Sequence, residues 1–326
     1  MIAPQDSAVL VEGLTKAFDE TVALDGVSVS VRTGELFGFL GPDGAGKTTL
    51  FRILATLLVP DRGHARVLGM DVVPDLWELR RQVGYMPGRF SLYGDLTVRE
   101  NLEFFAVAFG TTVGEQMDVI DPIYRQIAPF EGRRADDLSG GMKQKLALCC
   151  ALVHRPRILF LDEPTTGVDA VSRREFWDLL DELQERGLTT LVSTPYMDEA
   201  DRCDRVALMQ QGQLLAVDEP RAIVARYPLP LLAVRGPRRY RLLMALRRFE
   251  HAHTAYPFGE TLHYTDARKG ADAGTIADEL VWYLEKAGFD GSTVEPTPAG
   301  IEDSFMYLMG RSAPRPDRRP GEAEAT

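Results

Sequence analysis

The sequence predicts an α/β fold in which helices cover a parallel sheet and a small antiparallel sheet lies beside it. Between about residues 9 and 226, apolar runs of strand length are followed by amphipathic stretches of helical period, as in 36–40 and then 47–58. The short stretches 27–31 and 66–67 instead alternate like half-buried antiparallel strands. A length of 326 residues with 45% apolar side chains allows one large domain and a smaller one.

Charge and cysteine content limit the class of protein. The 37 basic and 48 acidic side chains give a net charge of −11, which argues against nucleic-acid binding because that depends on clustered Lys and Arg. The cysteines Cys149, Cys150 and Cys203 lack CxxC spacing, so we expect neither disulfides nor a zinc site, as in a reducing cytosol. Apolar runs stay well below the ~18 residues that cross a bilayer, and no signal-peptide pattern is present, so we expect a chain that is neither secreted nor membrane-spanning.

A pair of prolines, Pro228 and Pro230, marks a predicted domain boundary. We expect a first domain over 1–228, a second over 229–310, and a tail over 311–326 that has too little apolar matter to pack and is disordered. The second domain shows the order βαββαβ, typical of a small ferredoxin-like α+β domain. Its helices are predicted from three apolar stripes: Leu242, Ala245, Leu246 and Phe249, then Ile276, Leu280, Tyr283, Leu284 and Ala287, and last Ile301, Phe305, Leu308 and Met309.

A glycine-rich segment between an apolar strand and an amphipathic helix has the pattern GxxxxGK[ST] of a phosphate-binding loop. Its glycines let backbone N–H groups converge on phosphate oxygens, and the helix N-terminus adds partial positive charge. Lys47 is predicted to reach the outer phosphates, Thr48 to bind magnesium, and Thr49 to contact the innermost phosphate. The alternative is a mere glycine turn. The predicted nucleotide-binding residues are Gly41, Pro42, Asp43, Gly44, Ala45, Gly46, Lys47, Thr48 and Thr49.

Two adjacent carboxylates, Asp162 and Glu163, follow the apolar run 158–161. Open α/β sheets place ligands at the carboxyl ends of their strands. Asp162 is predicted to face the metal through water, and Glu163 to polarise the attacking water near the last phosphate. The alternative is a helix cap or a solvated pair of acids.

Two further segments are helix starts by local rules. Ser139, Gly140 and Gly141 open a helix whose free N–H groups and hydroxyl suit a phosphate, although a plain helix start explains them equally well. In the stretch LVSTPYMDEAD, Thr194 is expected to cap a helix whose first position is Pro195, with acidic residues in its first turn.

Taken together, the segments GPDGAGKTT (41–49), LSGGMKQ (138–144), ILFLDEP (158–164) and TTGVD (165–169) resemble the nucleotide-binding subunits of ABC transporters. The resemblance covers roughly the first 225 residues and implies the P-loop NTPase ABC cassette fold, with an antiparallel β-subdomain and a helical subdomain. The extension that ends in PTPAGIEDSFMYLMG is similar to the tails of drug- and polysaccharide-type exporter subunits of the ABC-2 class.

The resemblance implies a head-to-tail dimer that binds ATP and Mg2+ between the phosphate loop of one chain and Ser139, Gly140, Gly141 and Gln144 of the other. By the same resemblance, Phe18 stacks on adenine, where the alternative is a core aromatic, and the D-loop residue Asp169 contacts the partner across the dimer. The implied partners are an ABC-2-type membrane permease and a second nucleotide-binding domain, identical or different, with no nucleic acid. The implied location is cytoplasmic and peripheral, on the inner face of the cell membrane.

Two positions depart from the family pattern. Gly88 stands where the Q-loop usually has glutamine, and Pro195 stands where the switch motif usually has histidine. Glycine offers no side chain, and proline offers no donor. Because one lost donor to a transition-state charge costs roughly 2.7 to 4 kcal/mol, we expect the site on Lys47 to bind ATP but hydrolyse it slowly. The alternatives are compensation by Arg89 or Tyr196, or a backbone shifted by one residue.

The leading interpretation is an ATP-driven subunit that docks on a separate permease. The aromatic stretch 85–109 is the expected docking region, with Phe104 and Phe105 in the core and Phe90 and Tyr93 at the contact. An alternative is a subunit of an asymmetric complex that senses nucleotide without hydrolysing it. A soluble ABC protein acting on ribosomes or DNA is disfavoured, because such proteins usually carry two cassettes, and here we expect one phosphate loop and no basic stripe.

Overall fold

The structure is a computed structural model that describes residues 7–89 and 92–312, with the backbone only for 311 and 312. The chain forms two compact units, one containing the chain up to Pro220 and again from Leu308, and the other spanning Arg221–Tyr307. Within the described ranges no helix is both long and apolar enough to cross a membrane. Cys149, Cys150 and Cys203 are buried and free.

The first unit contains ten strands and six helices among its described residues. The strands are β1 (Ser7–Phe18), β2 (Thr21–Arg32), β3 (Leu36–Leu40), β4 (Arg62–Val67), β5 (Met70–Asp71), β6 (Val83–Met86), β7 (Ile158–Asp162), β8 (Thr189–Thr194), β9 (Arg205–Gln210) and β10 (Gln213–Asp218). The helices are α1 (Lys47–Leu54), α2 (Leu76–Arg80), α3 (Val98–Ala108), α4 (Met117–Ile127), α5 (Gly140–Leu152) and α6 (Ala170–Glu185).

Two sheets organise this unit. The larger has the order β10-β9-β3-β8-β7-β6, parallel except for the edge strand β10, and the smaller is antiparallel with the order β2-β1-β4-β5. Every residue of β3, β7 and β8 is buried, which explains the apolar runs 36–40 and 158–161. In β2 the side chains of Val27, Val29 and Val31 are buried, as their alternation predicts. The predicted parallel sheet with an antiparallel sheet beside it is confirmed.

The helix α1 is shorter than the predicted 47–58. It ends at Leu54 because Thr56 adopts a left-handed conformation with φ of 62°. The N–H groups of Leu57 and Leu58 then return to the carbonyl of Arg52, at 2.7 and 3.1 Å, and close the last turn.

The order of the parallel strands decides where the functional side chains meet. β3, β8 and β7 are direct neighbours, with Leu40 opposite Thr194 and Asp162 opposite Ser193. Their carboxyl ends therefore lie at one edge of the sheet, and the loops that follow them converge there.

The second unit has the predicted βαββαβ order. Its elements are β11 (Leu231–Arg235), α8 (Arg239–Arg248), β12 (Ala252–Phe258), β13 (Thr261–Asp266), α9 (Ala273–Lys286) and β14 (Thr293–Pro296), preceded by α7 (Pro220–Ala225) and followed by α10 (Ile301–Ser312). The antiparallel sheet has the order β12-β13-β11-β14, and the buried side chains of the two helices pack in one core: Leu242, Leu243, Leu246, Ile276, Leu280 and Leu284. Since α10 runs to Ser312, the first two residues of the predicted disordered tail are helical, and the remainder lies outside the described residues.

A buried carboxylate holds the start of α10 within this unit. Asp303 is 1% exposed and accepts hydrogen bonds from the Tyr256 hydroxyl, from His263 Nδ1 at 2.6 Å and from the Gly300 N–H at 2.7 Å. Burial alone would raise the pKa of Asp303, but the donors from His263 and Tyr256 outweigh it and lower that pKa. The start of the predicted last helix is thus fixed to the sheet.

Candidate active site

The loop of residues 41–46 connects β3 to α1 and requires glycine at its two ends. A Cβ on Gly41 would come within 2.1 Å of the Met209 carbonyl oxygen, and one on Gly46 within 2.4 Å of the Ala23 carbonyl oxygen. Gly46 also has φ of 103°, a conformation that side chains disfavour. The segment is therefore a tightly packed loop that leads into a helix N-terminus, and the alternative of a simple exposed glycine turn does not describe it.

Lys47 lies across this loop. Its ammonium group donates to the carbonyl oxygens of Gly41 at 2.7 Å and Pro42 at 3.0 Å, and it lies 3.4 Å from a carboxylate oxygen of Glu163. Lys47 is only 3% exposed, so its charge is fixed in place. Within the described part of the chain, the N–H groups of Gly44, Gly46, Lys47 and Thr48 donate to no protein acceptor. Free N–H groups at a helix start, beside a held ammonium, fit a phosphate group.

A hydroxyl from α1 meets a carboxylate from β7. The Thr48 hydroxyl donates to Asp162 Oδ1 at 3.1 Å, and the Ser193 hydroxyl at the end of β8 donates to the same oxygen at 2.6 Å. Asp162 is 2% exposed. A hydroxyl and a carboxylate are the oxygen donors that Mg2+ prefers, so the pair predicted from the sequence fits this metal.

Glu163 is held differently from Asp162. Its backbone has φ of 51°, and its N–H donates to both the carbonyl and the hydroxyl oxygen of Ser193, each at 3.0 Å. Its side chain is 23% exposed and lies beside the Lys47 ammonium. The carboxylate is thus open to water on one side and next to the phosphate loop on the other, which suits polarisation of a water molecule. Ser193 was given no role from the sequence, although it positions both acids.

The predicted helix cap at Thr194 is wrong. The 3-10 turn begins at Met197, with Tyr196 before it, and no side chain caps it. The Thr194 hydroxyl instead accepts from the Tyr196 N–H at 3.0 Å and donates to the buried carboxylate of Glu199. The Thr165 hydroxyl, just after β7, donates to the other Glu199 oxygen at 2.8 Å. A buried carboxylate needs donors, and Glu199 takes Thr194 out of the capping role.

Arg89 and Tyr196 adjoin the two substituted positions in the chain. Arg89 is exposed, and the Tyr196 ring lies beneath the Arg173 guanidinium at 4.9 Å. Within 7–89 and 92–312, neither side chain makes a hydrogen bond or ion pair to Lys47, Asp162 or Glu163.

Gly88 itself lies close to the end of β7. A Cβ at this position would come within 2.9 Å of the Asp162 carbonyl oxygen and 3.5 Å of the Glu163 Cβ. Gly88 is therefore next to the two acids, and a side chain at this position would force the backbone at Asp162 to move.

The residues of the LSGG segment lie beside the D-loop and not at the phosphate loop. Ser139 caps α5 by accepting from the Met142 N–H at 3.4 Å, and a Cβ on Gly141 would come within 2.6 Å of the Ser172 side chain. Ser139 and Gly140 are exposed, and Gln144 is half-buried. Asp169 caps α6, and hydrogen bonds from Ser172 lower its pKa. In a single chain this surface therefore faces outward and is separate from the phosphate loop that carries Lys47.

Phe18 is not a core aromatic. It is 46% exposed at the end of β1, with the Lys16 ammonium 5.6 Å from its ring centre. The position leaves a ring face available for stacking, and the expectation of adenine contact stays a prediction.

An apolar groove of about 310 Å3 lies in the predicted docking region. Among its lining residues are Tyr85, Leu92, Phe105, Phe109, Cys150 and His154. Phe104 is 45% exposed and packs against Tyr93 with ring centres 4.7 Å apart, so its prediction as core is wrong; Phe105 is partly buried in the groove wall. Phe90 lies outside the described residues.

Comparisons with known proteins show the family to which the chain is related. Residues 24–166 match the ABC transporter family model. The chain is 44% identical over 219 residues to the probable multidrug ABC transporter ATP-binding protein YbhF of Escherichia coli (strain K12), covering 67% of this chain and 38% of that protein. It is 36% identical over 302 residues to the Nod factor export ATP-binding protein I of Burkholderia thailandensis, covering 91% of this chain and 95% of that protein.

Solved structures show the same architecture. The chain resembles cbiO1 from Clostridium perfringens, part of the ABC transporter complex cbiONQ, with a TM-score of 0.61, 28% identity, and coverage of 68% of this chain and 92% of that one. It also resembles a dimeric post-hydrolysis state of the ATP-binding cassette MJ0796 bound to ADP and Pi, with a TM-score of 0.58, 26% identity, and coverage of 65% and 98%. The fold and the phosphate loop thus define a P-loop nucleotide-binding cassette. The chain belongs to the family of ATP-binding subunits of ABC transporters.

Proposed function

We propose that this chain binds ATP·Mg2+ at a head-to-tail dimer interface and couples the nucleotide cycle to a separate exporter permease. The arrangement that supports this most directly is the buried ammonium of Lys47 beside free N–H groups and the two acids of β7. Lys47 and the loop from Gly41 hold the phosphates, with Thr49 at the innermost one. Thr48 and Asp162 hold the metal, which neutralises phosphate charge when bound. Glu163 polarises water for attack on the last phosphate.

The second half of each site comes from the other chain of the dimer. Ser139 and Gly140 are exposed at the start of α5, and Gly141 packs on Ser172 near the D-loop. Because helix N-termini bind phosphate, this surface suits the phosphates of an ATP molecule that is held in the phosphate loop of the partner chain. Gln144, Asp169 and the exposed ring of Phe18 complete the proposed contacts. The partner is a second copy or a different nucleotide-binding chain.

Hydrolysis at the site on Lys47 is proposed to be slow. Gly88 and Pro195 supply no polar side chain, and neither Arg89 nor Tyr196 contacts the acids or Lys47 in the described residues. Loss of one preorganised donor costs a factor of about 100 to 1000 in rate, whereas the phosphate loop that dominates binding is intact.

Turnover of the purified full chain tests this proposal. We expect ATP binding without brisk phosphate release, and Pro195→His should raise the rate by up to about 100-fold by returning a donor. Pro237→His, at an exposed proline in the second unit, is the matched control and should change nothing. Brisk hydrolysis by the unmodified chain that Lys47→Ala abolishes would contradict slow turnover.

Docking on a permease is supported by the groove and by the relatives. The groove is walled by side chains that include Tyr85 of β6, Phe105 of α3 and Cys150 of α5. The exposed aromatics Tyr93 and Phe104 are the chain neighbours of its lining residues Leu92 and Phe105. The named relatives are a multidrug transporter subunit and a Nod factor exporter subunit, which supports a role in export. An ABC-2-type permease and a peripheral position on the cytoplasmic side of the membrane are further parts of the proposal. Phe104→Glu should reduce co-purification of a membrane subunit, whereas Trp282→Glu on α9 should not. Equal loss in both variants would contradict docking at this groove.

A nucleotide-sensing subunit is the second candidate. It is favoured because neither Gly88 nor Pro195 supplies a polar side chain for hydrolysis. The two functions differ in one measurement. In the assembled complex, a coupled subunit changes transport rate when its Glu163 is replaced by Gln, whereas a sensing subunit requires only that Lys47 bind ATP.

A further inference from the structure

The segment 220–249 carries a local excess of positive charge that the net charge of the chain conceals. Between residues 220 and 249 there are eight arginines and no Asp or Glu, in a chain whose net charge is −11. The expectation that the chain has no basic stripe is therefore wrong for this segment. Six of the arginines lie on or next to α8 and form the α8 arginine cluster: Arg235, Arg238, Arg239, Arg241, Arg247 and Arg248.

The α8 arginine cluster is exposed and its charge is not neutralised by the protein. Three of its guanidinium groups donate only to backbone carbonyls: Arg238 to Gly288, Arg239 to Gly259 and Thr261, and Arg247 to Ala255. The guanidinium groups of Arg235, Arg241 and Arg248 make no hydrogen bond within the described ranges, and no ion pair there involves any of the six. Carbonyls orient a guanidinium without cancelling its charge, so the cluster projects a field into solvent.

The outer face of α8 combines these charges with less polar side chains. Leu242, Leu243 and Leu246 point into the core, which places Tyr240 and Met244 on the opposite side together with arginines 241, 247 and 248. Tyr240 is 74% exposed. Arginine interleaved with an aromatic ring and a methionine, without a single acid, is typical of helices that lie on a lipid surface.

We propose that the α8 arginine cluster binds an anionic lipid surface, with guanidinium groups on phosphate headgroups and Tyr240 at the interface. Guanidinium forms bidentate hydrogen bonds with phosphate oxygens, and the tyrosine ring suits the headgroup boundary. A soluble acidic partner would suit the charges but gives no reason for the exposed tyrosine and methionine on the same face. The interaction is independent of the nucleotide site and of the permease.

Vesicle sedimentation of the purified full chain tests this proposal. Vesicles of phosphatidylcholine with phosphatidylglycerol should bind the chain, pure phosphatidylcholine should not, and added salt should release it. Each arginine near such a surface is worth roughly fivefold in affinity, so Arg241→Gln with Arg248→Gln should weaken binding by about 25-fold. Tyr240→Ser should weaken binding further without removing its salt dependence.

The matched control is Arg62→Gln with Arg66→Gln, which removes the same charge from exposed positions on β4 in the first unit. It should bind vesicles like the unmodified chain, and thermal melting checks that all variants are folded. Equal binding to both vesicle types, or equal loss in the control, would overturn the proposal. Tighter binding of soluble polyglutamate or RNA than of anionic vesicles, lost with Arg241 and Arg248, would also overturn it and would identify a macromolecular partner instead. Because these vesicles contain no protein, failure here leaves the permease proposal intact.

Discussion

Individual side chains at the sheet edge serve two different purposes. Lys47, Asp162 and Glu163 lie around the phosphate loop, whereas Ser193 and Glu199 are buried and hydrogen-bonded to neighbouring side chains. The first group is available for a ligand, and the second fixes the backbone around it. The sequence identifies the first group because binding and hydrolysis of a phosphate require these residue types in recognisable motifs. It does not identify the second, because a buried acid among threonines has no local pattern.

Removal of the Lys47 charge should abolish nucleotide binding. The ammonium is the one cation that contacts both loop carbonyls and Glu163 in the described residues, and a helix N-terminus alone binds phosphate weakly. Isothermal titration of Lys47→Ala with ATP·Mg2+ should show a loss of at least about 100-fold in affinity, equivalent to roughly 3 kcal/mol. Lys286→Ala, an exposed lysine over the Trp282 ring, serves as the control. Unchanged affinity for Lys47→Ala would remove the basis of the nucleotide site.

Glu199 should be required for stability more than for nucleotide contact. Glu199→Ala leaves the hydroxyls of Thr165 and Thr194 without their acceptor in a buried place, which costs about 1 to 3 kcal/mol. Glu199→Gln keeps an acceptor and should lose less. Urea unfolding of the first unit measures both, and an alanine variant as stable as the original would show that the buried pairing contributes nothing.

At the scale of elements, α10 depends on a single charge cluster within the second unit. Asp303 has a lowered pKa, so its carboxylate stabilises the folded unit fully above the pKa that it has when unfolded. This contribution is lost as the pH falls through the lower, folded pKa. We expect the free energy of unfolding to decrease on acidification below about pH 4.

Asp303→Asn separates this effect from general acid unfolding. The amide cannot be ionised, so the variant should be less stable at neutral pH and should lose less stability on acidification than the original chain. Denaturant unfolding followed by tyrosine fluorescence, at several pH values, gives both quantities. Parallel pH curves for the two proteins would show that Asp303 is not the titrating group.

For the whole molecule, the proposed dimer predicts complementation between two defective chains. Lys47→Ala destroys the phosphate loop of one chain, and Ser139→Arg blocks the surface that it offers to its partner. A mixture of the two variants contains pairs with one intact composite site, whereas each variant alone has none. ATP-dependent dimers, measured by gel filtration with light scattering, should therefore form only in the mixture. Equal dimer formation by Ser139→Arg alone would exclude a head-to-tail arrangement.

The sequence predicts those parts of the molecule that follow local rules. Local sequence patterns predict the strand before Gly41, the acids after residue 161 and the βαββαβ order. The structure contains all three. Thr194 is mispredicted because it donates to the buried carboxylate of Glu199, and Phe104 because it packs against Tyr93 at the surface. The α8 arginine cluster was not predicted because the net charge of the whole chain does not show where positive charges cluster.

The three strands that build the site come from distant parts of the chain, since Thr48, Asp162 and Ser193 meet through a single carboxylate oxygen. A ribosome must release the chain past β8 before that contact exists, so a growing chain cannot hold nucleotide until most of the first unit has emerged. Once ATP is bound, it links segments from the first and last thirds of this unit, and the melting temperature should climb with nucleotide concentration.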